Sequence, residues 1–353
     1  MIRVLLVEDS VTQREILRRM LNDDGAFSVI AEARNGRESV EQVARFRPDV
    51  VLMDIHMPDM NGVEATREIM QRFPVPIVIA SATLKKREMD LGLEALKAGA
   101  VSVIAKPEGA VLLHLKKIAP RLREELLAAS KVTVRRLALP QPPPRACPAI
   151  AVPSPVGGIQ AIGICASTGG PPLLLEILSS VPKPYPLPVL VVQHISHGFE
   201  EGFARWLAES SGQAVSLAAG GQRLEPGIWV APGAWHLTLA SRTRLALRER
   251  QPADIHCPSG NPLFESLGKH LGANAAGLLL TGMGDDGARG LLALKQAGGV
   301  TLIQDEESSL IWGMPKAAKQ LNAATHELDP AQISRVMIQI AESKSDYRHP
   351  IIP

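Results

Sequence analysis

Two sets of residues in this 353-residue chain have types and spacing suited to chemistry. The first centres on "GICASTGGPPLLLEIL", where an apolar run from Ala161 to Ala166 stops at Ser167, Thr168 and two glycines. A helical pattern follows at once. "PVLVVQHI" delivers His194 at the end of a second apolar run, and "GLLLTGMGDDG" carries Asp285 and Asp286 after a third. A serine hydroxyl is a weak nucleophile until a base takes its proton. A histidine can take it near neutral pH when an acid fixes its tautomer and stabilises the imidazolium. Glycines let backbone N–H groups face a developing oxyanion. The second set is acidic: Glu8 and Asp9 follow "VLLV", Asp54 ends "VVLMD", Ser81 follows "IVIA", and Lys106 follows "VIA". Three converging carboxylates repel one another unless a cation sits among them. Mg²⁺ suits such oxygen ligands. A hydroxyl, an ammonium and a metal around Asp54 are what a phosphoryl group there would need.

Several of these residues also have simpler readings. Ser167 alone reads as a helix N-cap, and the glycines could cradle phosphate. No Lys follows them as a Walker-type loop requires. His194 and His197 lack a third ligand for a metal site. His236, in "WVAPGAWH", is a rival base or a substrate contact. Spacing does not separate Asp285 from Asp286, and Cys165 reads as core. The order Ser, His, Asp, without G-x-S-x-G, is not that of an α/β-hydrolase.

These residues need elements to hold them. Strands are expected at 2–7, 29–33, 50–53, 77–80 and 101–104, with amphipathic helices between them. That alternation implies a parallel sheet covered on both faces, and a 2-1-3-4-5 order makes the Asp9 and Asp54 strands neighbours. In the second half, a strand over 161–166 and a helix over 171–181 put Ser167 at the carboxyl edge of another parallel sheet. Between the halves, "PQPPPRACPAIAVPSP" holds seven prolines over residues 140–155. Prolines this dense break helices and strands and make a linker. The expected organisation is an α/β protein of two doubly wound domains. A five-stranded flavodoxin-like domain covers 1–125, a linker 126–158, a larger, mainly parallel Rossmann-like domain 159–345, and a tail 346–353.

Composition narrows the class. A net charge of +2 and 3% aromatic residues give no footprint for nucleic acid. No apolar run approaches the roughly 20 residues of a membrane span, and the amino terminus does not read as a signal peptide. Three widely spaced cysteines suggest reduced thiols and a cytoplasmic protein.

"VEDS", "LMDIHMPDMNG", "IASA" and "AKP" resemble a response-regulator receiver domain. The resemblance implies phosphorylation of Asp54 by a histidine kinase, with Mg²⁺ held by Glu8, Asp9, Asp54 and the His56 carbonyl, and Ser81 and Lys106 as switch residues. Val103 stands where that family carries Phe or Tyr. "GICASTGGPPLLLEIL", "VVQHI", "WVAPGAWH", "LLLTGMGDDGARGL" and "IWGMPKAA" resemble the methylesterase domain of the chemotaxis protein-glutamate methylesterases. That resemblance implies Ser167 as nucleophile, His194 as base and Asp286 as orienting acid. Thr168 lies beside the nucleophile, the Met283 N–H serves as oxyanion donor, and His236 is a supporting residue. The implied substrates are glutamate methyl esters, and glutamines, on the cytoplasmic domains of chemoreceptors. No cofactor is expected for the esterase reaction, and no membrane insertion. Two departures, Gly260-Asn261-Pro262 in place of a Ser-Val-Asp pattern and Trp312 in place of Tyr, are expected to stay clear of the triad and line the substrate groove. The competing expectations are a signalling module with an idle, partner-binding output domain, and a hydrolase of small esters.

Overall fold

The computed structural model describes residues 1–22, 25–81, 86–106, 112–132, 158–195, 198–252 and 254–346. The chain divides into two compact units, Met1–Pro142 and Pro143–Pro353. The whole proline-rich stretch, Cys147 included, and His197 and residues 347–353 lie outside the described residues.

The first unit alternates strand and helix: β1 (Ile2–Val7), α1 (Val11–Asn22), β2 (Phe27–Ala33), α2 (Gly36–Phe46), β3 (Val50–Asp54), α3 (Gly62–Arg72), β4 (Ile77–Ser81), α4 (Lys86–Lys97), β5 (Ser102–Ala105) and α5 (Leu112–Ser130). The sheet order is β2-β1-β3-β4-β5, and every pairing is parallel. Buried Val, Ile, Leu and Met residues fill the central strands, as a sheet covered on both faces requires. At the start of α3, Asn61 and Glu64 form a capping box: the Asn61 side chain accepts from Val63 N and Glu64 N, while Glu64 accepts from Asn61 N. This fixes the helix entry just after the Asp54 strand. Helix α5 continues to Ser130 with Leu126, Ala128 and Ala129 buried, so helical structure extends past the expected boundary at 125.

The second unit holds β6 (Ala161–Ala166), α6 (Gly170–Ser179), β7 (Pro188–Gln193), α7 (Glu200–Ser211), β8 (Val215–Leu217), β9 (Gly227–Val230), β10 (Trp235–Ser241), β11 (Arg244–Glu249), α8 (Gly260–Leu271), β12 (Ala275–Leu279), α9 (Ala288–Gln296), β13 (Val300–Gln304), α10 (Met314–Gln320), β14 (His326–Leu328) and α11 (Pro330–Asp346). Seven strands form one parallel sheet ordered β14-β13-β12-β6-β7-β9-β8, with β10 and β11 as a separate antiparallel hairpin. The connections leave β6 toward β7 on one side and return to β12 on the other. The carboxyl end of β6 is therefore the switch point, where such sheets place ligands. Helix α6 ends at Ser179, two residues short of the expected Val181, because the residue before Pro182 is pushed out of helical geometry.

Candidate functional site

Three strand ends are tied together at the switch point. Beyond the strands proper, Ser167 N donates to Thr281 O (2.9 Å), Leu280 N to Cys165 O (2.9 Å) and His194 N to Ala166 O (2.9 Å). The buried Gln193 amide also donates to Ser167 O (2.8 Å) and His194 O (3.0 Å). The backbones that carry Ser167, His194 and the 281–286 turn thus form one network. Ser167 is 9% exposed and does not cap α6. Gly169 takes that position in the left-handed region, at φ 81°, without a side-chain cap bond. The N-cap expectation is thereby overturned: the hydroxyl is spared for other work.

Gly282 lies against Ser167. A Cβ there would sit 2.7 Å from Ser167 Cβ and 2.3 Å from Met314 Sδ, so only glycine permits the approach. Met283 follows immediately, and among the described residues its N–H has no acceptor. Thr168 is buried, and its carbonyl accepts from Thr281 Oγ1 at 3.0 Å.

Asp286 and Asp285 are now separated by burial. Asp285 has a 70% exposed side chain, 3.8 Å from Arg289. Asp286 is buried, and four donors surround it: His194 Nε2 (2.8 Å) and Gly260 N (2.7 Å) on Oδ2, Ser259 Oγ (2.5 Å) and Asn261 Nδ2 (3.1 Å) on Oδ1. Burial alone would push its carboxyl up. The bond and charge of His194, then Ser259 and Gly260, outweigh that and hold it well below the usual carboxylate range. An ionised carboxylate only accepts, so the proton between the two side chains sits on His194 Nε2 and leaves Nδ1 as an acceptor.

The residues 260–262 were expected to stay clear of this set, and that expectation fails. Gly260 and Asn261 touch Asp286 directly, because they form the first turn of α8, whose open N–H groups favour an anion. Glycine at 260 has a packing reason: a Cβ there would lie 2.5 Å from Cys165 Sγ. Cys165 is core, as expected, and its Sγ lies 4.0 Å from Asp286 Oδ2.

His256, which no sequence pattern pointed to, stacks on His194 with ring centroids 5.0 Å apart and planes 10° apart. His236 is fully buried on β10 and pairs with Asp254 at 2.9 Å. Asp254 also takes Gln251 N (2.8 Å) and Arg248 Nη2 (3.3 Å), and its carboxyl is lowered to about 2, chiefly by Gln251 and also by His236 and Arg248. His236 therefore anchors the segment leading to His256, and no described hydrogen bond joins it to Ser167 or Asp286. Trp312 pairs by backbone with Gly282, donates from Nε1 to Gln304 O (3.3 Å) and carries Lys319 over its ring.

In the first unit, Glu8, Asp54, Ser81 and Lys106 are buried at the strand ends and Asp9 is exposed. Lys106 Nζ lies 2.7 Å from both Glu8 Oε2 and Asp54 Oδ1, and His56 N donates to Asp54 Oδ1 at 3.3 Å. Burial pushes the Glu8 and Asp54 carboxyls up, and Lys106 only partly offsets it. Val103 is buried on β5 against α4; a Cβ at Gly92 would lie 3.1 Å from Val103 Cγ1, so the valine packs directly onto that glycine.

Two groups could hold a metal by proximity, each with ligand atoms within 4.8 Å: Glu8, Asp9 and Asp54, and Cys165, His194 and Asp286. The first fits a hard divalent cation, since it offers only oxygens and an excess of negative charge. The second does not: burial pushes the Cys165 thiol well up, keeping it protonated, and the Asp286 lone pairs are already taken.

Comparison with known proteins agrees with this division. The CheB methylesterase model matches residues 162–337, and the response regulator receiver domain model matches residues 4–116. A protein-glutamate methylesterase/protein-glutamine glutaminase of Methanospirillum hungatei is 41% identical, over 98% of this chain and 99% of that one. A namesake from Geobacter metallireducens is also 41% identical, over 98% and 100%. Among solved structures, the CheB methylesterase catalytic domain of Thermotoga maritima superposes with a TM-score of 0.50 at 30% identity, covering 52% of this chain and 98% of that one.

Proposed function

Because the chain belongs to the CheB methylesterase family, with a response regulator receiver domain ahead of the catalytic one, we propose that it is a phosphorylation-controlled protein-glutamate methylesterase. Its substrates are glutamate methyl esters on the cytoplasmic domains of chemoreceptors, and glutamines there are deamidated by the same machinery. The observation that carries this reading is the buried Asp286 held by four donors with His194 Nε2 among them, one backbone hydrogen bond away from the Ser167 strand end.

In this mechanism Asp286 fixes the His194 tautomer, and His194 Nδ1 takes the Ser167 proton as Oγ attacks the ester carbonyl. The Met283 N–H, held near Ser167 by Gly282, meets the oxyanion. His194 returns the proton to the departing methanol. Water, activated by the same imidazole, then releases the glutamate carboxylate and restores Ser167. With glutamine the leaving group is ammonia. His236 and Thr168 support the site without reacting.

The receiver takes phosphate on Asp54 from a chemotaxis histidine kinase. Glu8, Asp9, Asp54 and the His56 carbonyl would hold Mg²⁺, which supplies charge to offset the incoming phosphoryl group. Ser81 and Lys106 reorganise around the phosphate and raise the esterase rate. Such a protein works in the cytoplasm; among the described residues, no helix is long and apolar enough to cross a membrane. An idle output domain would have no use for the His194–Asp286 pair. The test is methanol release from methylated receptor membranes: native protein releases it and Ser167→Ala does not. Release by the variant at the native rate would refute the assignment.

A further inference from the structure

Resting on the reading of Ser167, His194 and Asp286 as the reacting set, we propose that Asn261 is a positioning residue that bolts Asp286 to α9 and so fixes the orientation of His194. Its Nδ2 donates to Asp286 Oδ1 at 3.1 Å, while its Oδ1 accepts from Gly290 N at 2.8 Å. Gly290 lies in the first turn of α9, where backbone N–H groups have no partner within the helix. One planar amide thus satisfies a helix end and a catalytic carboxylate together. The reverse orientation would set oxygen against oxygen and N–H against N–H, so only one placement works.

The other donors to Asp286 do different work. Gly260 acts through its backbone, and Ser259 also caps α8, accepting from Asn261 N at 3.3 Å. Among the described residues, only Asn261 joins the carboxylate to α9 by its side chain. Of the side chains of similar size, a carboxylate offers acceptors alone and an alkyl group offers neither.

This makes a distinctive prediction for Asn261→Asp. Protonated, the introduced carboxyl can still donate to Asp286 Oδ1 and accept from Gly290 N. Ionised, it places a second negative charge against Asp286 and the bolt is lost. The neighbouring charge raises its pKa above the ordinary carboxylate value. The other titratable groups facing Asp286 are His194, just past β7, and Cys165 from β6, with His256 behind the His194 ring. Asp285 and Arg289 on its own segment are exposed.

The experiment uses the full chain and methylated receptor membranes, with methanol release followed from about pH 5 to about pH 9 for native, Asn261→Asp and Asn261→Ala. The His194 Nε2 proton is followed by NMR in parallel. Expected for Asn261→Asp is a descending limb, absent from the native profile, with kcat down about tenfold on its alkaline side and KM unchanged. Asn261→Ala is expected to lose about tenfold in kcat at every pH and to shift the His194 Nε2 proton resonance. An Asn261→Asp profile that superimposes on the native one overturns the proposal. So does Asn261→Ala with native kcat and an unmoved resonance, and that variant decides alone if the aspartate variant fails to fold. If the native protein releases no methanol, the esterase reading falls, while the NMR comparison still decides whether Asn261 fixes His194.

Discussion

Asp54 and Asp286 are the same residue type, buried at the carboxyl edges of two parallel sheets, and their surroundings push them in opposite directions. Around Asp286 four donors converge, and among the described residues none of its partners is a carboxylate. Around Asp54 two further carboxylates gather and one ammonium is shared between it and Glu8. The first environment keeps one charge state constant, which suits a group that must orient a base on every turnover. The second leaves excess negative charge in a buried place, which suits a group whose charge must change on signal. Local donor count, more than burial, decides which kind of site a strand-end aspartate becomes.

The contrast can be broken in several places. The largest effect is expected from Asp286→Asn, which keeps the shape but turns an amide N–H toward donors and leaves His194 without its anion. Methanol release should fall roughly 10⁴-fold with the fold retained; a loss under tenfold would remove Asp286 from the mechanism. Ser259→Ala should lower stability by about 1.5–3 kcal/mol in denaturant unfolding, because it removes a hydrogen bond to a buried charge. Gly260→Val should cost about 1–3 kcal/mol through its clash with Cys165, and Cys165→Gly in the same chain should restore most of it. An additive double variant would show that the two positions do not share that space.

The smallest effect sharpens the receiver side. Raised carboxyl pKa values mean that the folded state favours protonated Glu8 and Asp54. Their contribution to stability is present at low pH and lost as pH rises through the raised values, above 4.5 for Glu8 and 3.8 for Asp54. The receiver transition in calorimetry should therefore move up on acidification from about pH 7 to about pH 5, and Mg²⁺ at pH 7 should move it the same way. Asp286, held low, contributes stability that is lost only below the ordinary carboxylate range. A receiver transition that falls between pH 7 and pH 5 would contradict the account.

Much of this was legible in the residues. Ser167 and His194 each end a continuous apolar run, the mark of a strand buried on both faces, so their place at a sheet edge follows from period alone. The five strands of the first unit are legible for the same reason, while their order follows the flavodoxin-like arrangement. What escaped was decided in three dimensions. Asp285 and Asp286 are neighbours in sequence, and only packing makes one buried and the other exposed. Asn261 and His256 carry no local pattern: Asn261 meets Asp286 across 25 residues of chain, and His256 meets the His194 ring. The strands β8 and β9, three and four residues long, alternate too briefly for period to mark them.

The most direct test of the contrast is the initial rate of methanol release from methylated receptor membranes, before and after a phosphodonor, for the native protein and Asp54→Asn. The native rate should rise with the donor, while Asp54→Asn should keep the basal rate and show no rise. A phosphodonor response that survives in Asp54→Asn, or a basal rate that vanishes with it, would contradict the division between a variable and a constant aspartate.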